Sequence, residues 1–495
     1  MRNNKNLLKI FELLGIIVFS LLFVVSCNKD ETRLSGINSF AINLDGSELP
    51  YIKITTSNFI TNEPKVSAHM DIYQNSEKVF SNPIGIEYRG VTSFRMSDKK
   101  SYGIETWDES GNDVDVEIFG FPKEEDWILM GHVFRSPEII FDASLMNHYI
   151  GYELYRQMGN YASRSKFVEL EIDYIHNGES DYKGIYVFME KLKRDSKRIN
   201  ISKLIPSDEG PDDITGGYIL KIDKTGGSDV APDNQPLEYY ETNWSDDASY
   251  NEGISFRSNY DINGNSLASL PPFGPPYHEY QKLETYFLYE YPKAEEITSP
   301  QKNYIQSFIN DFETALLYDD FTSQTRSYLD YIDLDSFIDY FIINELTGNI
   351  DAYRLSTYMH KDKGGKLKMG PIWDLNIGYN RQDRGPFDDW IANYNSYVPN
   401  DPWLVPFWWK RLLEDPIFKN SLKTRWELLR ANTLSNNSVL SFVDETSQYL
   451  ISNGAIERNY NKWSGINVDY PSVIADLKSY LNNRLNWMDN EINEL

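Results

Sequence analysis

The chain of 495 residues contains a single cysteine, Cys27, and only six histidines. One cysteine excludes a disulfide within the chain, and no C-x-x-C pair is present. The motifs H-E-x-x-H, G-x-S-x-G and G-x-x-x-x-G-K-[ST] are absent as well, and the histidines are scattered, which argues against zinc catalysis. Basic residues are also few compared with acidic ones. The resulting net charge of -26 argues against a nucleic-acid partner.

Residues 1–27 have the pattern of a secretory leader. Basic residues precede an apolar run at residues 13–25, which is shorter than the roughly 20 apolar residues of a spanning helix. The sequence VVSC at residues 24–27 resembles a lipobox, and it contains the only cysteine. We therefore expect a lipoprotein that is processed and lipidated at Cys27. Residues 28–31, NKDE, resemble the acidic signals that send lipoproteins of Gram-negative bacteria to the outer cell surface.

Composition and periodicity divide the rest of the chain into four parts. A tether at residues 28–48 precedes a β-rich part at about residues 45–200. Residues 201–290 are rich in Pro, Gly, Asp and Asn, which predicts an irregular insertion with short strands. Residues 291–495 have mainly helical periodicity, and Ser299 with Pro300 is typical of an N-cap followed by the first helical position. The sequence thus predicts an α+β fold.

Lys100 is the first residue of a predicted strand at residues 100–104, and Lys99 precedes it. Alternation places Lys100 on the same face as Tyr102 and Ile104, so its ammonium group is expected to point toward a covered surface. Lys99 is then expected to face outward. A helix is predicted at residues 143–158, and its interior contains one acidic residue, Glu153.

The segment at residues 349–378 predicts a hairpin flanked by two acidic residues. Asp351 precedes the first strand, a polar turn contains Gly364 and Gly365, and Asp374 follows the return strand. Phosphoryl-transfer sites use such a layout, since one carboxylate orients the attacking hydroxyl group and another holds Mg²⁺. An exposed hairpin with loop aspartates is the alternative interpretation.

This hairpin resembles the CotH family of kinase-like proteins. That family has an N-x-D segment, an Asn five residues after the Asp, and then W-D-[FY]-D-x-x-x-G. The resemblance covers about residues 45–490, because further motifs occur in the family's order. These are GVTS at 90–93, KKSY at 99–102, NG at 177–178 with GIY at 184–186 and Glu190, and GGYIL at 216–220. The resemblance implies an atypical protein-kinase-like, two-lobed fold, with a β-rich amino-terminal part and a mainly helical carboxyl-terminal part.

The resemblance also implies roles for individual residues. Asp351 corresponds to the catalytic base, and Asp374, Asn376 and Ser356 correspond to positions that contact the metal. A lysine on an early strand of a kinase-like fold pairs with nucleotide phosphates, which points to Lys100. The implied cofactors are ATP and Mg²⁺, and the implied acceptor is a Ser or Thr hydroxyl group of an extracytoplasmic protein.

Two further acidic residues are candidates for the nucleotide site. Glu153 is the candidate ion-pair partner of Lys100, because such a partner comes from the next helix in kinase-like folds. Glu190 ends an apolar strand about where a linker between lobes would contact adenine. A solvated helical glutamate and an ordinary strand end are the alternatives for these two residues.

The chain departs from the family pattern at two metal positions. Ser356 stands where the family has Asn, and Asn376 stands where it has the second Asp of W-D-[FY]-D. Mg²⁺ prefers anionic oxygen ligands, so loss of a carboxylate should weaken metal binding. A catalytically inactive, kinase-like surface lipoprotein that binds a glycan or a protein is therefore the alternative function. Its candidate sugar-stacking rings are Trp403, Trp408 and Trp409, although the last two continue into an amphipathic helix that favours a core position.

Lipidation at Cys27 can be tested directly. We expect that Cys27→Ala prevents incorporation of labelled fatty acid, because the thiol that accepts the lipid is lost. Metabolic labelling followed by gel fluorography measures this. A variant that still incorporates the label would show that Cys27 is not the anchor.

Overall fold

Seven strands in the first half of the chain close into a barrel. The structure, a computed structural model, describes residues 48–175, 178–226, 243–379 and 387–495. The barrel order is β1-β2-β3-β4-β5-β9-β8, and it closes through parallel pairing of β1 with β8. The first nine strands are β1 (Tyr51–Thr56), β2 (Val66–Gln74), β3 (Glu77–Arg89), β4 (Ser101–Thr106), β5 (Asp126–Met130), β6 (Phe134–Arg135), β7 (Ile139–Ile140), β8 (Ser165–Tyr174) and β9 (Glu179–Glu190).

The barrel forms because its strands alternate between apolar and polar residues. In β1, Ile52 and Ile54 are fully buried while their neighbours are partly exposed, so one face fills the barrel. Aromatic rings close the interior, with Trp127 and Phe188 stacked at 5.2 Å between ring centroids. Two short helices lie beside the barrel, α1 (Val91–Met96) and α2 (Asn147–Gln157).

A second sheet of five strands follows the barrel in the chain. Its order is β11-β12-β10-β13-β14, so β10 lies between strands that come much later in the sequence. These strands are β10 (Tyr218–Ile222), β11 (Ser255–Arg257), β12 (Tyr286–Tyr291), β13 (Thr357–Lys361) and β14 (Leu367–Met369). The predicted hairpin is confirmed as β13 and β14, which pair antiparallel. It is the edge of a larger sheet and not an isolated strand pair.

The remainder of the chain is mainly helical, as predicted. The helices are α3 (Ser299–Tyr318), α4 (Leu334–Thr347), α5 (Tyr394–Tyr397), α6 (Trp408–Leu412), α7 (Pro416–Arg430), α8 (Asn436–Ser452), α9 (Ala455–Lys462) and α10 (Tyr470–Glu494). With strands and helices both well represented, the α+β class is confirmed. Within the described residues, no helix is long and apolar enough to span a membrane. The predicted leader, lipid anchor and most of the tether lie outside the described residues.

The ends of the central helices are set by local chemistry. Helix α3 begins at a capping box between Thr298 and Gln301, so the prediction that Ser299 is the N-cap was wrong by one residue. The side chain of Asp333 caps α4 by accepting a hydrogen bond from the Ser336 amide. Gly348 ends α4 with φ of 58°, a left-handed conformation that favours glycine. This stop turns the chain directly into the segment that contains Asp351.

Lys99 is buried, which contradicts the expectation that it faces outward. Its side chain extends between β9 and α9, and its ammonium group donates to the Ile185 carbonyl at 2.5 Å and to Asn459 Oδ1 at 2.8 Å. The predicted alternation fails because β4 begins only at Ser101, after both lysines. Burial lowers the pKa of Lys99 to about 7, although the nearby carboxylate of Asp142 acts in the opposite direction.

This pKa predicts a pH-dependent stability. Between about pH 7 and 10.5 the unfolded chain holds a proton on Lys99 that the folded chain has released, so the free energy of unfolding rises with pH. Below pH 7 both states are protonated and the cost of burying the charge is fully present. We expect this contribution to approach about 1.4 kcal/mol per pH unit inside the window and to disappear in Lys99→Gln. Urea unfolding at pH 7, 8 and 9, followed by circular dichroism, measures it.

Lys410→Gln is the matched control, because it removes one lysine from an exposed position on α6. A Lys99→Gln slope equal to that of the wild type would show that the buried ammonium group does not lose its proton in this range.

Candidate active site

One cavity of about 440 Å³ collects most of the predicted site residues. It lies among the end of β3 with α1, the end of β10, the turn after α4 and the segment after β14. Its volume is within the roughly 300–1,000 Å³ typical of small-ligand sites. Asp351, Ser356, Asp374 and Asn376 all line it. Residues that are 23 positions apart in the sequence therefore face a common space.

Asp351 is held in a turn that follows α4. Its amide donates to Asn349 Oδ1 at 3.3 Å, and Arg354 Nη2 lies 2.8 Å from its Oδ1 atom. Arg354 is only 1% exposed; its guanidinium group also donates to Asp401 Oδ1 at 3.2 Å and lies 4.0 Å from the Tyr394 ring centroid. Because Arg354 is fixed on several sides, it orients the Asp351 carboxylate at the cavity wall.

The segment after β14 carries the candidate metal ligands. Asp374 adopts a left-handed conformation with φ of 54°, and its amide donates to the Tyr152 hydroxyl group at 3.3 Å. The Trp373 ring is largely buried and stacks on Tyr152 at 6.2 Å between centroids, so it is a core residue that anchors the turn. Asn376 lines the cavity, and its Oδ1 atom is buried without a hydrogen-bond partner among the described residues.

A second carboxylate lies close to Asp374. Asp223 follows β10 and accepts backbone hydrogen bonds from Lys224 and Ser356. Burial raises the pKa of Asp223; the ammonium group of Lys221 acts in the opposite direction, and the charge of Asp374 raises it further. Two neighbouring carboxylates, the orphaned Asn376 oxygen and the Ser356 hydroxyl group line one cavity. These oxygen donors fit a divalent cation.

Lys221 lines the cavity, whereas Lys100, the lysine that the sequence analysis singled out, does not. It lines the cavity from β10, and its ammonium group lies 3.1 Å from Glu290 Oε2 on the neighbouring strand β12. Burial disfavours its charge, but Glu290, Tyr358 and Asp223 together favour the charge more strongly, so the pKa of Lys221 is raised. The signal in the sequence was a lone lysine in the otherwise apolar stretch YILKI. A charge there requires a buried partner.

The three residues that the sequence analysis assigned to the nucleotide site, Lys100, Glu153 and Glu190, do not line this cavity. The Lys100 ammonium group donates to the Phe94 carbonyl at 2.6 Å. Glu153 pairs with Arg156 one turn along α2, so its expected pairing with Lys100 is not formed. Glu190 is fully buried and accepts hydrogen bonds from Tyr161 and Arg164. The two residues that follow Glu190, at positions 191 and 192, do reach the cavity.

The three tryptophans of the glycan hypothesis separate into two groups. Trp408 and Trp409 are 0% and 1% exposed; the Trp408 ring packs on Phe312 and the Trp409 ring packs on Phe337. They are therefore core residues and offer no surface for a sugar. Trp403 lines the cavity, where its indole nitrogen donates to the Tyr250 hydroxyl group at 2.8 Å.

Comparison with known proteins assigns the chain to a family. A model described as CotH kinase protein matches residues 86–268 and 274–488, which include every residue of the candidate site. Comparison with curated proteins found no match. Because the family match covers most of the chain, the protein belongs to the CotH kinase protein family.

Proposed function

We propose that this protein transfers the γ-phosphoryl group of ATP to a Ser or Thr hydroxyl group of a protein outside the cytoplasm. The observation that carries the proposal is the convergence of Asp351, Asp374, Asn376 and Lys221 on one cavity. Family membership supports a kinase-like protein. The barrel and the helical part would then act as the two lobes of a kinase-like fold.

The basic side chains that line the cavity, Lys221 and Arg89, would bind the phosphates of the nucleotide. Lys221 keeps its charge through Glu290, and this lysine–glutamate pair resembles the one that positions phosphates in protein kinases. Arg89, at the end of β3, also lines the cavity, with its guanidinium carbon 5.8 Å from the Trp373 ring centroid. Both side chains place positive charge where a nucleotide's phosphates would lie.

The carboxylate, amide and hydroxyl oxygens of the cavity would bind the metal ion. Asp374, Asn376 and Ser356 would hold the cation, and Asp223 lies beside Asp374. A bound Mg²⁺ would supply charge neutralisation for the phosphates. Without a cation, the neighbouring carboxylates of Asp223 and Asp374 repel each other, which favours cation binding at this wall.

Asp351 accounts for activation of the acceptor. The Asp351 carboxylate orients the acceptor hydroxyl group and accepts the hydroxyl proton while the hydroxyl oxygen bonds to the γ-phosphorus. The bond between the γ-phosphorus and the oxygen that bridges it to the β-phosphorus breaks, and ADP leaves. Arg354 Nη2 lies 2.8 Å from Asp351 Oδ1 and fixes the orientation of this carboxylate. The positioning role of Arg354 explains why a buried arginine lies directly beside the catalytic residue.

The proposed cellular location is based on the leader sequence and not on the cavity. The leader at residues 1–27, Cys27 and the acidic stretch at residues 28–31 support an outer-membrane lipoprotein exposed at the cell surface. The acceptor protein is then another surface or secreted protein.

A binding protein without transferase activity is the second candidate. Asn376 replaces a carboxylate at the metal wall, and this replacement favours reduced metal binding. Trp403 on the wall of the same cavity is the remaining aromatic residue for a glycan ligand. A glycan-array signal that is lost in Trp403→Ala, without nucleotide binding, would support this function.

Substitutions at Asp351 and Asn376 test the transfer reaction. We expect Asp351→Asn to lower kcat about 10²- to 10⁴-fold while ATP binding persists, because the base is lost and the phosphate site remains. Asn376→Asp should raise transfer activity by restoring a carboxylate to the metal wall. Labelled-phosphate transfer with Mg²⁺, together with nucleotide thermal shift, measures both effects. Asp311→Asn, at an exposed position on α3, is the control. Full activity of Asp351→Asn would remove the proposed base.

A second pair of variants decides which lysine binds phosphate. We expect Lys221→Met combined with Glu290→Gln to weaken ATP binding about 10- to 100-fold, because a charged phosphate contact worth about 1.5–3 kcal/mol is lost. Changing both partners avoids leaving a buried carboxylate unpaired. Lys100→Met should leave ATP binding near the wild-type value. Calorimetric titration measures both, and the reverse result would assign the phosphates to Lys100.

A further inference from the structure

His148 is a buried histidine at the cavity wall whose ring nitrogens make no hydrogen bond within the described part of the chain. It lies in the first turn of α2, is 2% exposed and lines the cavity wall. Among the described residues, neither of its ring nitrogens has a hydrogen-bond partner. A buried polar nitrogen without a partner costs stability, so its retention requires a ligand or a functional reason.

The distance from His148 to Asp374 fits two ligands of one metal ion. His148 Nε2 lies 3.5 Å from Asp374 Oδ1. This separation exceeds the roughly 2.7–3.2 Å of an N–H···O hydrogen bond. Imidazole nitrogens and carboxylate oxygens bind metals at about 2.0–2.2 Å, so two adjacent ligands of one ion lie roughly 3.0–3.6 Å apart.

A third donor lies two residues further along the chain. Asn376 Oδ1 is also buried without a hydrogen-bond partner among the described residues, and its side chain lines the same cavity. An imidazole nitrogen, a carboxylate oxygen and an amide oxygen thus remain available at one wall. Two buried atoms without hydrogen-bond partners among the described residues, next to a partly exposed carboxylate, are the pattern expected of metal ligands.

The donor types define the kind of ion. An imidazole nitrogen is a softer donor than oxygen and suits transition metals, whereas Mg²⁺ prefers oxygen donors alone. Asn376 supplies no negative charge, and the nitrogen of His148 supplies a strong additional donor.

We propose that His148 Nε2 is a metal ligand together with Asp374 and Asn376, and that this site selects a divalent transition-metal ion such as Mn²⁺ over Mg²⁺. The inference rests on the proposed function in placing a cation in this cavity, and it assigns a ligand that the family motif does not include. His148 compensates for the carboxylate that is absent at position 376.

Paramagnetic resonance of bound Mn²⁺ tests the ligand directly. With one equivalent of Mn²⁺ on the full chain in detergent, we expect electron spin-echo modulation from a directly bound ¹⁴N nucleus. The modulation should disappear in His148→Asn, and Mn²⁺ affinity should fall at least about tenfold. Mg²⁺ affinity, measured by competition with Mn²⁺, should fall less, so the preference for Mn²⁺ decreases. His69→Asn, which removes an exposed histidine from β2, should retain the modulation.

The wild-type spectrum decides the question even where a variant folds poorly. Bound Mn²⁺ without nitrogen modulation would overturn the assignment of His148, and so would modulation that persists in folded His148→Asn. Nitrogen modulation without any phosphoryl transfer would support the metal site and contradict the proposed kinase function. Absence of Mn²⁺ binding, with or without ATP, would contradict both.

Discussion

The buried ion pair between Glu345 and Arg484 supports the part of the molecule that forms the site. Glu345 is fully buried in α4, and Arg484 Nη2 from α10 lies 3.0 Å from its Oε2 atom. Burial raises the pKa of Glu345, while the guanidinium group acts in the opposite direction. The same carboxylate accepts hydrogen bonds from the Tyr353 hydroxyl group and from the amides of Ile391 and Ala392. One buried charge thus connects α4, α10 and the turn that contains Asp351.

This network explains how the partly exposed carboxylate of Asp351 acquires a defined position. The stop at Gly348 sends the chain out of α4, Tyr353 is anchored to Glu345, and Arg354 contacts Asp351 between these fixed points. Removing one member of a buried pair leaves an uncompensated charge, which is far more costly than losing a surface ion pair. Rigidity at the base of the turn therefore comes from buried polar contacts as well as from apolar packing.

The cavity has basic side chains in its wall although the chain as a whole is strongly acidic. Acidic residues dominate the composition, yet Lys221, Arg89 and Arg354 all reach this cavity. The carboxylates beside them, Glu290 and Asp351, hold two of these cations in place. Local pairing of buried groups, rather than net charge, determines what the cavity attracts.

The sequence by itself determined the features that depend on neighbouring residues. Alternation predicted the β-rich part before residue 200 and turn residues predicted the β13–β14 hairpin. Helical periodicity predicted α3, and the family motifs predicted that Asp351, Ser356, Asp374 and Asn376 belong together. Short-range patterns carry this information because a strand face or a helix stop depends on residues a few positions apart. Their errors were local as well, as in the N-cap of α3 and the first residue of β4, which led to the wrong expectation that Lys99 faces outward.

Only the tertiary structure decided which distant side chains meet. Pairing of β10 with both β12 and β13 brings Lys221 to the cavity beside Glu290, and packing of α2 brings His148 to Asp374. Tertiary packing also buries Trp408 and Trp409 in the core. Such pairings depend on the register of strands and the packing of helices that are far apart in sequence, where a shift of one residue exchanges the buried and exposed faces.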